Sequence, residues 1–155
     1  GFIATNYALH YTERVAKLAL LGPMGWTPDS TRIVLRIMFA ALFPADVVQD
    51  DTVNWAFGDD PHVLDESETW FRHVMTDAVT RTGAPRTFKT SELQDLQVPV
   101  LLVIGTRDGL TGDPEKVIEL AENAPDIKIE VLDSGHLMGI ERADEVNELI
   151  MAFFE

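Results

Sequence analysis

The feature that most constrains the fold is a strand–helix–strand pattern in the last third of the sequence. Residues 98–104 (VPVLLVI) and 128–132 (KIEVL) are short runs typical of strands, and Pro99 is tolerated because it stands at a strand start. Between these runs, residues 113–124 begin with Asp113 as a helix N-cap and Pro114 at the first helical position. Two strands joined through a helix pair in parallel. The sequence therefore predicts an α/β fold with a parallel sheet.

Three further elements are predicted around this unit. Residues 15–21 (VAKLALL) are nearly all apolar and are closed by Gly22 and Pro23, which favours a third buried strand. The N-terminal segment has the apolar face of an amphipathic helix that is already running at residue 1, formed by Ala4, Tyr7, Ala8 and Tyr11. A closing helix starts at about Asp144, and its core-facing stripe is expected to contain Val146, Leu149, Ile150, Phe153 and Phe154.

Residues 24–90 interrupt the α/β rhythm. Helical patterns occur at residues 31–42 and 66–80, and no strand pattern is convincing between them. All three tryptophans and five of the eight phenylalanines lie in this segment. We therefore predict a core made of residues 1–23 and 91–155, with residues 24–90 inserted as a helical lid. The aromatic side chains would form a small core of the insertion, a hydrophobic roof over a substrate pocket, or both.

Composition excludes several classes of function. The chain has no cysteine, so neither disulfides nor thiol catalysis are possible. Its formal net charge of −14 would repel nucleic acid and anionic membrane surfaces, so neither is expected as a partner. The longest apolar run, residues 33–43, contains Arg36 and is far shorter than the ~20 residues that span a bilayer. A cytoplasmic location is the resulting expectation.

Two reactive side chains follow neighbouring strands. Asp108 lies in Gly-Thr-Arg-Asp after residues 98–104, and His136 lies in Asp-Ser-Gly-His after residues 128–132. Ligands of open parallel sheets bind beyond the carboxyl ends of the strands, so both residues are expected at the same rim. A carboxylate bonded to one imidazole nitrogen fixes the tautomer and leaves the other nitrogen as a base. The sequence therefore predicts an acid–histidine pair that lacks only a nucleophile.

Three stretches of the sequence are similar to a known family: VAKLALLGP, LQVPVLLVIGTRDGL and IKIEVLDSGHLMGIERADEVNELIMAFF. Together they resemble the C-terminal half of an α/β-hydrolase, in which the catalytic residues follow the order nucleophile, acid, histidine. The resemblance implies that Asp108 is the acid and His136 the histidine. The G-x-S-x-G nucleophile motif is not in these 155 residues, so the resemblance places the nucleophile upstream of residue 1.

The resemblance also implies an activity. We expect a serine hydrolase, specifically a carboxylesterase that cleaves small to medium hydrophobic esters without a cofactor, with Met24, Trp26 and Leu137 in the substrate pocket. Residues 1–155 alone are expected to be inactive and to need the N-terminal half of the same protein or a second copy of the chain. Two alternatives stay open: an aspartate nucleophile, which would support dehalogenation or epoxide opening, and a non-catalytic ligand-binding or interaction module.

No metal site is expected. His62 stands near Asp59, Asp60 and Asp65 in an acidic turn, but their spacing matches no compact set of ligands and favours solvated carboxylates.

Overall fold

A computed structural model describes residues 1–27, 30–43, 46–58, 60–61, 63 and 85–155. The predicted helix at residues 66–80 lies outside this part of the chain, as do His62, Asp59 and Asp65. In chain order the elements are α1 (Phe2–His10), β1 (Leu18–Leu21), α2 (Ser30–Leu42), α3 (Asp46–Phe57), α4 (Thr90–Gln94), β2 (Val100–Gly105), α5 (Pro114–Ala121), β3 (Ile127–Leu132), α6 (Met138–Glu141) and α7 (Ala143–Phe154).

The three strands form one parallel sheet in the order β1-β2-β3, which confirms the predicted α/β class. Leu18 of β1 is in register with Val100 of β2, and Val100 is in register with Ile127 of β3. All six residues of β2 are buried because a strand flanks it on each side and side chains cover both of its faces.

Alternate residues of β2 point to two separate hydrophobic clusters, as the two-residue period of a strand requires. Leu102 and Ile104 pack in the larger cluster, which includes residues of α1, α4 and α5. Leu101 and Val103 pack in the second cluster, where Val146 of α7 covers the other face of the sheet. The sheet is therefore held between helices, and its strand ends are positioned by a rigid core.

The predicted helix starts agree with the structure where local chemistry specifies them. Asp113 caps α5 by accepting a hydrogen bond from Glu115 N at 3.0 Å, and Pro114 is the first helical residue. On α7, Leu149, Ile150 and Phe153 pack against the second cluster, but Phe154 is 51% exposed. Successive helical residues differ by about 100° around the axis, so Phe153 and Phe154 cannot share a face.

Two predicted features near the N-terminus are wrong in detail. The strand starts at Leu18 rather than at residue 15, because pairing with β2 begins at Leu18 and residues 15–17 connect it to a 3-10 turn at Thr12–Arg14. Tyr7 on α1 and Tyr11 directly after it are 43% and 47% exposed, whereas Thr5 and Ala8 on α1 are buried. Both faces of this helix carry apolar residues, so periodicity alone did not show which one meets the core.

Three helices were not predicted. The apolar periodicity of α3 is weak because polar and acidic residues are spread along it, and α4 and α6 have only five and four residues. Among the described residues, no helix combines the length and apolar character needed to cross a bilayer.

Candidate active site

The ends of β2 and β3 lie side by side because Gly105 is in register with Leu132. Two backbone hydrogen bonds join the loops that follow, from Thr106 N to Leu132 O at 2.9 Å and from Arg107 N to Ser134 O at 3.0 Å. These loops carry the two predicted reactive residues to one point. His136 Nδ1 lies 2.9 Å from Asp108 Oδ2.

The Asp108 carboxylate is enclosed by hydrogen-bond donors. Its Oδ1 accepts from Leu110 N and Thr111 N, each at 2.9 Å, and its Oδ2 accepts from the Thr111 hydroxyl. The residue is only 2% exposed. A buried carboxylate is costly unless it is hydrogen-bonded, so these donors both compensate its burial and fix its orientation.

The contact with Asp108 determines how His136 can react. A carboxylate only accepts hydrogen bonds, so Nδ1 carries the proton and Nε2 keeps a lone pair. The imidazole is 22% exposed, and the Phe57 ring lies beside it with centroids 6.2 Å apart. The arrangement can therefore act as an oriented general base whose protonated form is stabilised by the buried carboxylate.

Gly22, directly after β1, packs against both Asp108 and His136. A Cβ atom at this position would lie 2.7 Å from Asp108 Oδ2 and 3.0 Å from His136 Nδ1. Its φ angle of +49° also lies in the left-handed region that favours glycine. The sequence showed Gly22 only as the end of a strand, and its contact with the reactive pair was missed.

Thr111 is a second residue that sequence reasoning missed. It is 1% exposed and binds both oxygens of Asp108, one through its amide and one through its hydroxyl. Its position three residues after the acid is the only sequence signal of this role, and a threonine at that spacing is common in loops.

The last turn of α3 packs on both loops through glycine residues. A Cβ atom on Gly109 would collide with the Trp55 carbonyl oxygen, and one on Gly135 would collide with the Phe57 carbonyl oxygen. Gly109 and Gly135 directly adjoin Asp108 and His136 in sequence. A cavity of about 790 Å³ lies next to this contact, between Ile33 and Trp55 on one side and Asp108 on the other.

The predicted pocket residues occupy different environments. Leu137 is half-buried and packs against the hydrophobic cluster of α3 that contains Val53 and Phe57. Met24 is half-buried in the turn after β1. Trp26 is 0% exposed in the main core, and its indole N–H donates to Thr5 Oγ1 at 3.0 Å. Because its surface and its polar atom are both occupied, we assign Trp26 to the core rather than to the pocket.

The loop of β3 contains two more polar residues, neither of which completes the pair. Ser134 is 0% exposed, so its hydroxyl is not accessible to a substrate. Hydrogen bonds from the Arg107 guanidinium and the Thr106 hydroxyl lower the pKa of Asp133, which keeps it charged at the surface. Within the described part of the chain, no group of three histidine, aspartate or glutamate residues could hold a metal ion.

Comparison with known proteins gives the class of the chain. No protein-family model matches it. Carboxylesterase YbfK of Bacillus subtilis strain 168 is 25% identical over 99% of this chain and 54% of its own length. The uncharacterized carboxylesterase nap of the same strain is 36% identical over 99% of this chain and 53% of its own length. The crystal structure of a naproxen esterase from Bacillus subtilis matches with a TM-score of 0.75 at 25% identity, over 97% of this chain and 55% of that one.

These matches, together with the parallel sheet, show that the chain has the α/β-hydrolase fold. The chain spans about half the length of the curated relatives it matches. Those relatives are carboxylesterases.

Proposed function

We propose that this chain is the acid- and histidine-bearing half of a carboxylic ester hydrolase. The observation that carries the proposal is the 2.9 Å contact between His136 Nδ1 and the buried Asp108 carboxylate, at the carboxyl ends of adjacent parallel strands. The named carboxylesterases among its relatives support the same chemistry.

In the proposed mechanism, a serine outside residues 1–155 attacks the ester carbonyl carbon, and His136 Nε2 takes the serine proton. Asp108 stabilises the resulting imidazolium. The imidazolium then protonates the leaving alkoxide, which departs as the alcohol and leaves an acyl-enzyme. His136 next removes a proton from water, whose oxygen attacks the acyl carbon, and the proton returns to serine as the acid is released. No cofactor enters these steps.

The serine-bearing part is proposed to be the N-terminal half of the same protein, docked on β1 and α1. Among the described strands, β1 is paired on one side only, by β2. The adjacent α1 presents Ile3 and Tyr7, which are 84% and 43% exposed, and Tyr11 directly after the helix is 47% exposed. An open strand edge next to exposed apolar side chains is a template for another segment of chain. On this proposal, residues 1–155 have no esterase activity by themselves.

The substrate is proposed to be a small to medium hydrophobic ester, with the α2–α3 segment acting as a lid. The last turn of α3 touches both reactive loops, and its Phe57 ring lies beside the His136 imidazole with centroids 6.2 Å apart. Leu137 and Met24 stay candidates for contact with the substrate. A helical cover of this kind excludes water from the reaction and selects apolar groups.

The proposal is tested on a polypeptide that carries both this chain and the nucleophile-bearing half. A serine-directed fluorophosphonate should label it, and short-chain p-nitrophenyl esters and a naproxen ester should be hydrolysed. Loss of the acid in a serine-hydrolase triad costs on the order of 10⁴-fold in kcat, so Asp108→Asn should be nearly inactive, as should His136→Ala. Asp126→Asn is the matched control for Asp108→Asn, because Asp126 is exposed and directly precedes β3, at the opposite end of the sheet from Asp108.

Other outcomes would contradict the proposal in recognisable ways. Hydrolysis of haloalkanes or epoxides without fluorophosphonate labelling would indicate an aspartate nucleophile. The absence of both labelling and turnover would indicate a binding module. If two copies of this chain associate and become labelled without any further segment, the second copy rather than the N-terminal half completes the site.

A further inference from the structure

We propose that Glu141 is a positioning residue for the acid–histidine pair, acting through Arg107 and the amide of Gly135. The inference rests on the proposed function, because it assigns Glu141 a role in that same site. Glu141 lies at the end of α6 and does not touch Asp108 or the His136 ring by any of the hydrogen bonds of the described residues. Its effect must therefore pass through the loops.

The Glu141 carboxylate binds one residue from each reactive loop. Its Oε2 accepts a hydrogen bond from Gly135 N at 2.7 Å, and its Oε1 accepts one from the Arg107 guanidinium. Gly135 directly precedes His136, and Arg107 directly precedes Asp108. A single carboxylate thus holds the chain one residue before the base and one residue before the acid.

Burial makes this connection stiff. The Glu141 side chain is 3% exposed, whereas most surface carboxylates are solvated. A buried carboxylate keeps its partners close, because separation would leave a charge and an amide without compensation. The guanidinium reaches further across the same loop, with its Nε donating to Asp133 Oδ1 at 3.1 Å and Nη2 donating to Asp133 O at 3.3 Å.

The contact that this arrangement controls is sensitive to small movements. The distance from His136 Nδ1 to Asp108 Oδ2 depends on how the two loops lie relative to each other. Beyond the strand ends, backbone hydrogen bonds from Thr106 N and Arg107 N also join the loops, and Glu141 adds a side-chain connection from Arg107 to Gly135, the residue next to the base. A misplacement of about 1 Å in a catalytic group can cost on the order of 100-fold in rate. Glu141 therefore fixes the final approach of the base to the acid.

The test uses Glu141→Ala and Glu141→Gln in the polypeptide that carries both halves. Alanine removes both contacts, whereas glutamine keeps an acceptor for Gly135 N and loses the charge that faces Arg107. The matched control is Glu92→Gln, which breaks an exposed Arg–Glu pair, Arg86–Glu92, with N–O distances of 2.6 and 2.7 Å. Each variant is measured for kcat and KM, for thermal stability, and for the low-field NMR resonance of the His136 Nδ1 proton.

We expect Glu141→Ala to lose about 10- to 100-fold in kcat with little change in KM, and to lose or shift the Nδ1 proton resonance. Glu141→Gln should show a smaller change in the same direction, and Glu92→Gln should leave both readouts unchanged. If Glu141→Ala does not fold, two single variants replace it: Glu141→Gln, and Arg107→Lys, which keeps the positive charge but lacks the planar guanidinium. Each should lower kcat and shift the Nδ1 proton resonance in the same direction.

A Glu141→Ala protein that loses thermal stability but keeps its kcat and the Nδ1 proton resonance would show that Glu141 is only structural and would overturn the inference. The NMR readout does not depend on ester turnover. If the parent polypeptide has no esterase activity and the resonance still disappears in Glu141→Ala, the proposed function fails while the positioning role of Glu141 stands.

Discussion

Gly22→Ala is the substitution for which the structure makes the sharpest prediction. The added methyl group would lie 2.7 Å from Asp108 Oδ2 and 3.0 Å from His136 Nδ1, both shorter than the 3.4 Å at which ordinary contacts begin. The carboxylate cannot easily retreat, because Leu110 N, Thr111 N and the Thr111 hydroxyl hold it. The strand end is held as well, by the hydrogen bond from Gly22 N to Val103 O at 2.9 Å.

The size of the effect follows from these distances. To restore a 3.4 Å contact, the methyl group and Oδ2 must separate by about 0.7 Å, and the imidazole must shift by about 0.4 Å. Since about 1 Å of misplacement costs on the order of 100-fold, we expect kcat to fall by roughly 10- to 100-fold. An alanine at φ +49° should also destabilise the fold by about 1–2 kcal/mol.

The assay is steady-state ester hydrolysis by the polypeptide that carries both halves, with thermal unfolding measured in parallel. Gly139→Ala is the matched control, because a Cβ atom at Gly139 meets no other atom within 4 Å. That variant should keep the kcat of the parent. A Gly22→Ala enzyme with unchanged kcat and unchanged dependence of kcat on pH would refute the reasoning, even if its stability were lower.

Three further predictions concern other parts of the structure. Thr111→Val should lower kcat while Thr111→Ser retains most of it, because only serine keeps the hydroxyl on Asp108 Oδ2; equal rates in an ester assay would contradict this. Leu102→Ala in the fully buried centre of β2 should cost about 2–5 kcal/mol in denaturant unfolding, and a cost below about 1 kcal/mol would contradict the described packing. The hydrogen bond from Arg86 lowers the pKa of Glu92 from 4.5 to about 2. The ionised form is therefore favoured in the folded state, so its contribution is complete above pH 4.5 and is lost as the pH falls towards 2. The difference in unfolding free energy between the parent and Glu92→Gln should shrink over that range, whereas a constant difference would contradict the shift.

Local chemistry explains which predictions agreed with the structure. The run that forms β2 has no charged residue, and its side chains alternate between two cores, so the sequence alone predicts a buried strand of a parallel sheet. Asp113 and Pro114 specify a helix start by backbone chemistry alone. The positions of Asp108 and His136 just beyond two parallel strands were sufficient to predict that the two side chains share a rim.

The errors share a different cause. Trp26 was predicted to line the substrate pocket, yet it is buried in the core and donates to Thr5, a residue 21 positions earlier. Which side of α1 meets the core likewise depends on the neighbouring elements. These outcomes depend on contacts between residues far apart in the chain, and periodicity carries no information about them.

By itself, the sequence determined the parallel α/β architecture and the pair Asp108 and His136, because burial patterns, helix caps and strand ends are set by neighbouring residues. Only the tertiary structure decided that Gly22 packs against the pair, that the Thr111 hydroxyl donates a hydrogen bond to Asp108, and that Glu141 connects the two loops. Each of these contacts joins groups that meet in space at distances of a few ångströms. Such distances are set by the packing of the whole sheet and its helices rather than by the order of residues in the chain.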